Sequence, residues 1–268
     1  MADQRGGGIS WTEETWNPLR GCSRISEGCK NCYAEAVAAR FSGKGQPYEG
    51  LAKTTKDGGR WTGKVSLVED KLDQPLRWKR ARRLFVNSMS DLFHETLSDE
   101  TITKIFKVML AAPHHTYQTL TKRADRMHEY FRISRHIPTL PKNIWLGISV
   151  ENQKAAEERI PFLLKSPALT RWLSIEPMLG PIVLKPEWLM GVDWVVVGGE
   201  SGPDSRPFDI NWARAIIAQC KTAGVAVFFK QYGSAAMEAG VPLEYKGKGS
   251  EPEAWPKDLQ IRNYPEGR

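Results

Sequence analysis

No stretch of the 268 residues approaches the roughly eighteen consecutive apolar positions that a membrane-spanning helix needs. The start, Met1 to Gly8, is polar and Gly-rich and lacks the apolar core of a secretory signal. Cysteine and histidine are both scarce, at four and five residues. Neither G-x-G-x-x-G nor a P-loop occurs, so the fingerprints of dinucleotide and nucleotide-triphosphate binding are missing. Internal repeats and low-complexity tracts are absent too. These absences point to a globular cytoplasmic protein, a compartment in which clustered cysteines read as metal or redox sites before disulfides.

Acidic residues are outnumbered, 31 against 38 basic ones, for a net charge of +7. Part of the excess lies in Arg77-Trp78-Lys79-Arg80-Ala81-Arg82-Arg83 and part in Lys122-Arg123 through Arg126. Such a surface suits nucleic acid or another phosphorylated substrate, and equally a solvated helix end. Apolar residues make up 41% of the chain, with ten tryptophans, ample for a core.

Short β-branched and aromatic runs alternate with helical patterns. The runs are Leu84–Val86, Tyr117–Leu120, Ile144–Ile148, Arg171–Ile175, Trp194–Val197 and Val225–Phe229, with a first strand expected near Trp16–Gly21. Helices are expected over Asp99–Ala112, capped by Ser98, over Asp125–Phe131 and Asn152–Leu164, and over Asn211–Ala223, stopped by Gly224. The alternation predicts an α/β fold: a parallel β/α partial or near-complete barrel of about six or seven strands, in a single domain over residues 1–268. Residues 42–64, Gly- and Lys-rich without apolar period, read as an excursion or flap, and residues 234–268 as an irregular tail. Cys220, inside an amphipathic helical pattern, reads as a buried thiol.

In parallel barrels the functional mouth lies at the C-terminal ends of the strands. Here those ends read Asn87-Ser88-Met89-Ser90-Asp91, Thr121-Lys122-Arg123, Ser149-Val150-Glu151-Asn152, Glu176-Pro177-Met178, Gly198-Gly199-Glu200-Ser201 and Lys230-Gln231-Tyr232. Helix caps would account for the Ser, Asp and Asn residues, Asp91 among them. They do not account for Lys122, Glu176, Glu200 and Lys230 at one relative position in four units, which favours a shared mouth.

The densest signal is Gly21-Cys22-Ser23-Arg24-Ile25-Ser26-Glu27-Gly28-Cys29-Lys30-Asn31-Cys32-Tyr33, three cysteines within eleven residues. Structural zinc wants four ligands, and only one C-x-x-C pair is present; His94, His114 or His115 would have to fold back to complete the set. An electron-relay cluster wants a fourth cysteine, and Cys220 lies in the wrong pattern. Three cysteines after the first strand of a β/α series also fit a 4Fe–4S cluster with one open iron.

Residues Asn17-Pro18-Leu19-Arg20-Gly21-Cys22 through Cys29-Lys30-Asn31-Cys32-Tyr33-Ala34 resemble the cluster loop of radical S-adenosylmethionine (SAM) enzymes, particularly the branch around spore photoproduct lyase. Thr121-Lys122 and Ser149 resemble that branch as well. From about Trp11 to Tyr232, including Phe228-Phe229-Lys230-Gln231-Tyr232-Gly233, the chain is similar to a phage-associated three-cysteine-motif family, also found in bacterial genomes, of unassigned activity. Two features depart from the superfamily pattern. Six residues rather than three separate the first two cysteines, and Asn31 stands where an aromatic residue commonly meets the adenine, with Tyr33 on the other side of Cys32.

The resemblance implies a barrel of the radical SAM/TIM type in a bacterial or phage-infected cell. It implies that Cys22, Cys29 and Cys32 bind three irons while SAM chelates the fourth. A reductant of flavodoxin or ferredoxin type would supply the electron that breaks the C5′–S bond, and the resulting radical would abstract hydrogen from substrate. By similarity, Ser88 or Ser90 and Lys122 would hold the methionine part, Ser149 and Asn152 the ribose, and Tyr33 would stand beside the adenine. Glu176, Glu200 and Lys230 would face the substrate. Basic charge, Trp61, Trp78 and both resemblances suggest a nucleic-acid base or nucleoside, which would have to leave a duplex to be reached. The competing readings are a non-catalytic zinc-stabilised nucleic-acid-binding protein and a redox or cluster-sensing partner of another phage enzyme.

Overall fold

In the computed structural model, residues 8–133 and 139–265 are described. Most of the polar start and the last three residues of the tail lie outside them. Seven strands make one parallel sheet: β1 (Glu14–Trp16), β2 (Arg83–Val86), β3 (Thr116–Thr121), β4 (Ile144–Ser149), β5 (Thr170–Ile175), β6 (Trp194–Gly198) and β7 (Ala226–Gln231). They lie in chain order, each beside its predecessor. This is the order of a singly wound, partial parallel β/α barrel, the fold class expected from the sequence. The crossovers carry α1 (Tyr33–Arg40), α2 (Asp99–Ala111), α3 (Ala124–Ile133), α4 (Gln153–Leu164) and α5 (Ile210–Ala223).

The strands read as near-continuous apolar runs because a parallel sheet is covered on both faces. All five residues of β6, Trp-Val-Val-Val-Gly, are buried. Trp16, Trp172 and Trp194 are fully buried. Gly147 in β4 makes room for one of them: a Cβ there would lie 2.3 Å from the Trp172 ring. The helix ends follow the expected chemistry. Ser98 accepts a hydrogen bond from Thr101 N, Asn152 from Ala155 N and Asp209 from Asn211 N, while Gly224 closes α5 at φ 68°. Cys220 is fully buried on α5, and that burial pushes its thiol up to about 12.

One expectation needs correction, and two segments gain detail. The first strand ends at Trp16, because Pro18 has no N–H to continue a ladder. Leu19 and Arg20 instead pair antiparallel with Leu67 and Ser66, and the Pro18 carbonyl accepts from Val68 N at 2.8 Å. The excursion at 42–64 is an ordered hairpin, Ala52–Thr55 against Gly58–Trp61. It packs on α1, where a Cβ on Gly59 would lie 2.6 Å from the Glu35 carbonyl oxygen. The tail is structured as well: Ala236–Glu238 pairs with Phe208–Asp209 and Val241–Pro242. Further on, Phe229 N donates to Ile261 O at 2.8 Å and Asn263 N to Val227 O at 2.9 Å, so the tail lines β7.

The chain groups into two compact units, Met1–Leu146 with Pro167–Leu169, and Gly147–Ser166 with Thr170–Arg268. No helix among the described residues is long and apolar enough to cross a membrane.

Candidate functional site

In the first unit, the chain leaves β1 and turns at Gly21 (φ 93°) into the cysteine loop. A Cβ on Gly21 would lie 2.1 Å from the Lys64 carbonyl oxygen, so only glycine fits this turn. A short helical turn, Glu27–Cys29, follows, and Cys32 then stands immediately before α1. All three loop cysteines are half-buried and none is in a disulfide. Cys22 and Cys32 lie near enough to feel each other's charge, as do Cys32 and Cys29. Burial, with Asp91 nearby, pushes the Cys22 thiol up to about 12. Burial also raises Cys32, opposed in part by a backbone hydrogen bond and by the positive charge of Lys122.

Arg123, at the end of β3, joins this loop to its surroundings. Its Nη2 donates to Ser23 Oγ at 2.7 Å and Ser23 O at 3.3 Å, and its Nη1 to Asp91 Oδ2 at 3.0 Å. Its Nε donates to Glu95 at 2.5 Å, and Nη1 also lies 4.0 Å from Cys22 Sγ. Burial opposes the Arg123 charge, but Asp91 and Glu95 outweigh it and hold the guanidinium more firmly protonated than usual. Asp91 caps no helix. It is buried and accepts from Phe93 N, Thr121 Oγ1 (2.7 Å) and Lys122 N as well as from Arg123. Buried His94 shares Ser23 Oγ at 2.9 Å, while its Nδ1 takes the Thr96 N–H. That pattern fixes the Nε2–H tautomer, and burial lowers the ring's proton affinity.

The hydroxyls after β2 divide. Ser88 Oγ donates to Asn17 Oδ1 at 3.1 Å, and Tyr33, exposed on α1, donates its hydroxyl to Ser88 O at 3.1 Å. Ser90 pairs as an isolated bridge with Gly21, one residue before Cys22, and its buried Oγ has no partner among the described residues. Lys122 stands close enough to Cys32 to act on its charge.

A single zinc ion draws tetrahedral thiolates to about 4 Å from one another. Among the described residues, no group of three or more His, Cys, Asp or Glu side chains is drawn together as it would be around a bound metal ion. The histidines considered as a fourth ligand are engaged elsewhere. His94 bonds Ser23 and Thr96, His114 bonds Trp78 O, and His115 bonds Arg82 N and Pro75 O. Two cations, Lys122 and Arg123, stand near the loop, Arg123 already paired with Asp91 and Glu95, and the buried Ser90 hydroxyl has no partner among the described residues.

In the second unit, Lys230 Nζ lies 3.0 Å from Glu176 Oε1. Lys248 feels both, and burial followed by the Lys230 charge lowers its proton affinity. Beside this pair, Gln231 Nε2 donates to Ser201 Oγ at 2.6 Å, and Gly198 leaves only 3.1 Å between a would-be Cβ and Glu176 Oε1. Glu200 is buried and chelated by Arg206, with contacts of 2.9 and 2.5 Å, so its carboxylate closes its own loop. Asn152 spends its carbonyl on capping α4. Ser149 is buried, and its backbone carbonyl accepts from Arg159 at 2.8 Å. Arg159 also forms a buried pair with Glu151 at 2.7 Å. Sequence reasoning passed over Arg123, Glu95 and the Glu151–Arg159 pair, and considered His94 only as a zinc ligand. The signal for Arg123 was its place directly after Lys122, where it read as one more surface charge.

The proposed nucleic-acid contacts are mostly spoken for. Trp61 is half-buried against Ala34, Ala38, Ala52 and Met89, and Trp78 packs its ring under Arg82 at 5.1 Å. Arg77 pairs with Asp73, and Arg82 with Glu14. Lys79 and Arg80 stay exposed.

No curated protein and no solved structure matches the chain. The family model described as a protein of unknown function, DUF5131, matches residues 6–257, and the chain belongs to that family.

Proposed function

We propose that the chain is a radical SAM enzyme in which Cys22, Cys29 and Cys32 hold a 4Fe–4S cluster. The observation that carries this reading is the cysteine loop itself: three half-buried, unbridged thiols following the first strand of a parallel β/α series, with Lys122 beside Cys32 and Arg123 beside Cys22. When bound, such a cluster with SAM supplies reductive sulfonium cleavage and hydrogen-atom abstraction. The chain's own part is to bind and orient. Three thiolates bring negative charge to a half-buried loop. Lys122 and Arg123 oppose it, and Asp91 and Glu95, bonded to Arg123, limit how far they cancel it. Lys122 is also suited to the carboxylate of a methionine moiety, and the Ser90 hydroxyl is available as a donor.

In the second unit the Lys230–Glu176 ion pair sets an N–H donor beside a carboxylate acceptor, a pair able to grip a polar substrate edge. A nucleic-acid base or nucleoside is the substrate class we favour, supported by the net charge of +7 and the exposed Lys79 and Arg80. A flavodoxin- or ferredoxin-type protein is the proposed reductant.

The test is iron, sulfide and zinc per chain after anaerobic purification, followed by dithionite and SAM. About four irons and release of 5′-deoxyadenosine are expected, and Cys29→Ala abolishes both. One zinc without iron would replace this reading with a structural metal site in a binding protein.

A further inference from the structure

We propose that Arg123 is the positioning residue of the cysteine loop and that, together with Glu95, it sets the reduction potential of the group held there. This inference rests on the cluster reading above. Arg123 is 5% exposed and lies at the end of β3, far in sequence from the loop it holds. One guanidinium spans four partners. Nη2 grips the backbone and side chain of Ser23, Nη1 reaches Asp91 and the Cys22 sulfur, and Nε meets Glu95. A planar fork with five donors does this, whereas an ammonium would hold one of these partners well.

The charges act in opposite senses. A cation beside a cluster sulfur favours the reduced state, which carries one more negative charge. An anion on the far side of that cation weakens the effect. Asp91 is buried and bonded to β3 as well, so its charge is part of the frame. Glu95 is different: its side chain is 55% exposed, bonds the side chains of Arg123 and Ser23, and lies 3.6 Å from His94 Nε2. Glu95 can therefore lose its charge while the loop keeps its shape.

The experiment measures the midpoint potential of the anaerobically reconstituted full chain by electron paramagnetic resonance during redox titration, with iron counted in every sample. Arg123→Gln makes the reduction equilibrium less favourable by roughly tenfold or more, about 59 mV per tenfold for a one-electron couple. Glu95→Gln shifts it the other way, and Arg123→Lys stays nearer to the native value than Arg123→Gln. A residue that only braced the loop would move both Gln variants in the same direction. Equal potentials, or shifts of one sign, at full iron content overturn the inference and leave the cluster reading standing. If Arg123→Gln fails to retain iron, its positioning role is supported and Glu95→Gln alone decides the potential. Absence of iron from the native chain overturns both readings together.

Discussion

Gly21 is where a single side chain would do most damage to the cysteine loop. Its φ of 93° is one that residues with a Cβ rarely adopt, and the Lys64 carbonyl already occupies the space. Gly21→Ala is expected to destabilise the chain by about 2 kcal/mol or more and to lower iron retention, read by denaturant unfolding and iron assay. Glu95 makes a second residue-scale prediction. Burial tends to raise its carboxyl, but the hydrogen bonds from Arg123 and Ser23 prevail and bring it down to about 2. The unfolded chain therefore takes up this proton at a higher pH than the folded one. The stabilisation is complete above about 4.5 and fades as pH falls from there toward 2. Solvent screening of this half-exposed carboxylate keeps the effect small. Glu95→Gln should flatten the acid limb of the stability curve over that window, measured by urea unfolding at a series of pH values.

At the scale of elements, Asn152 separates two roles that a sequence cannot. Its Oδ1 accepts from Ala155 N at 2.9 Å at the start of α4, the geometry of an N-cap. Asn152→Ala is expected to cost about 1 kcal/mol in thermal or urea unfolding, and Asn152→Asp to restore it. A ribose contact through this carbonyl would instead show as weaker SAM binding in the Asp variant at unchanged stability. The major strands and helices were legible because burial on both faces writes apolar runs, and caps such as Ser98 and Gly224 mark the ends. The hairpin of residues 52–61 was not. It contributes few apolar side chains, chiefly Ala52 and Trp61, and owes its place to Gly59 against the Glu35 backbone and to Trp61 N bonding Glu35 Oε1 at 2.7 Å. Close approach of this kind leaves no periodicity. The candidate site was legible in the same uneven way: the cysteines announce themselves by spacing, whereas Arg123 acquires meaning only once β3 places it against Ser23.

For the whole molecule, the positive balance and the chain-ordered sheet each carry a prediction. If a nucleic acid is the substrate, its affinity falls with rising salt, and replacing both Lys79 and Arg80 with Gln lowers the log–log slope by about 2 while leaving the fold intact. An unchanged slope would remove that face from the interaction. The far edge of the sheet is β7, where Ile261 and Asn263 satisfy backbone groups and Arg262 lies over Phe228 at 5.2 Å. A chain stopped before Ile261 leaves that strand with open donors and acceptors, and light scattering should show it aggregating where the full chain does not.

This arrangement also bears on how the protein is made. Every strand after the first docks on one that left the ribosome earlier, so the sheet is able to grow from one side at the pace of translation. Throughout that growth its newest strand presents an unpaired flank. The strip around Ile261–Asn263 covers the flank of β7, and it follows that strand only after a long intervening segment. The nascent chain is thus exposed to chance pairing with other chains until that strip arrives.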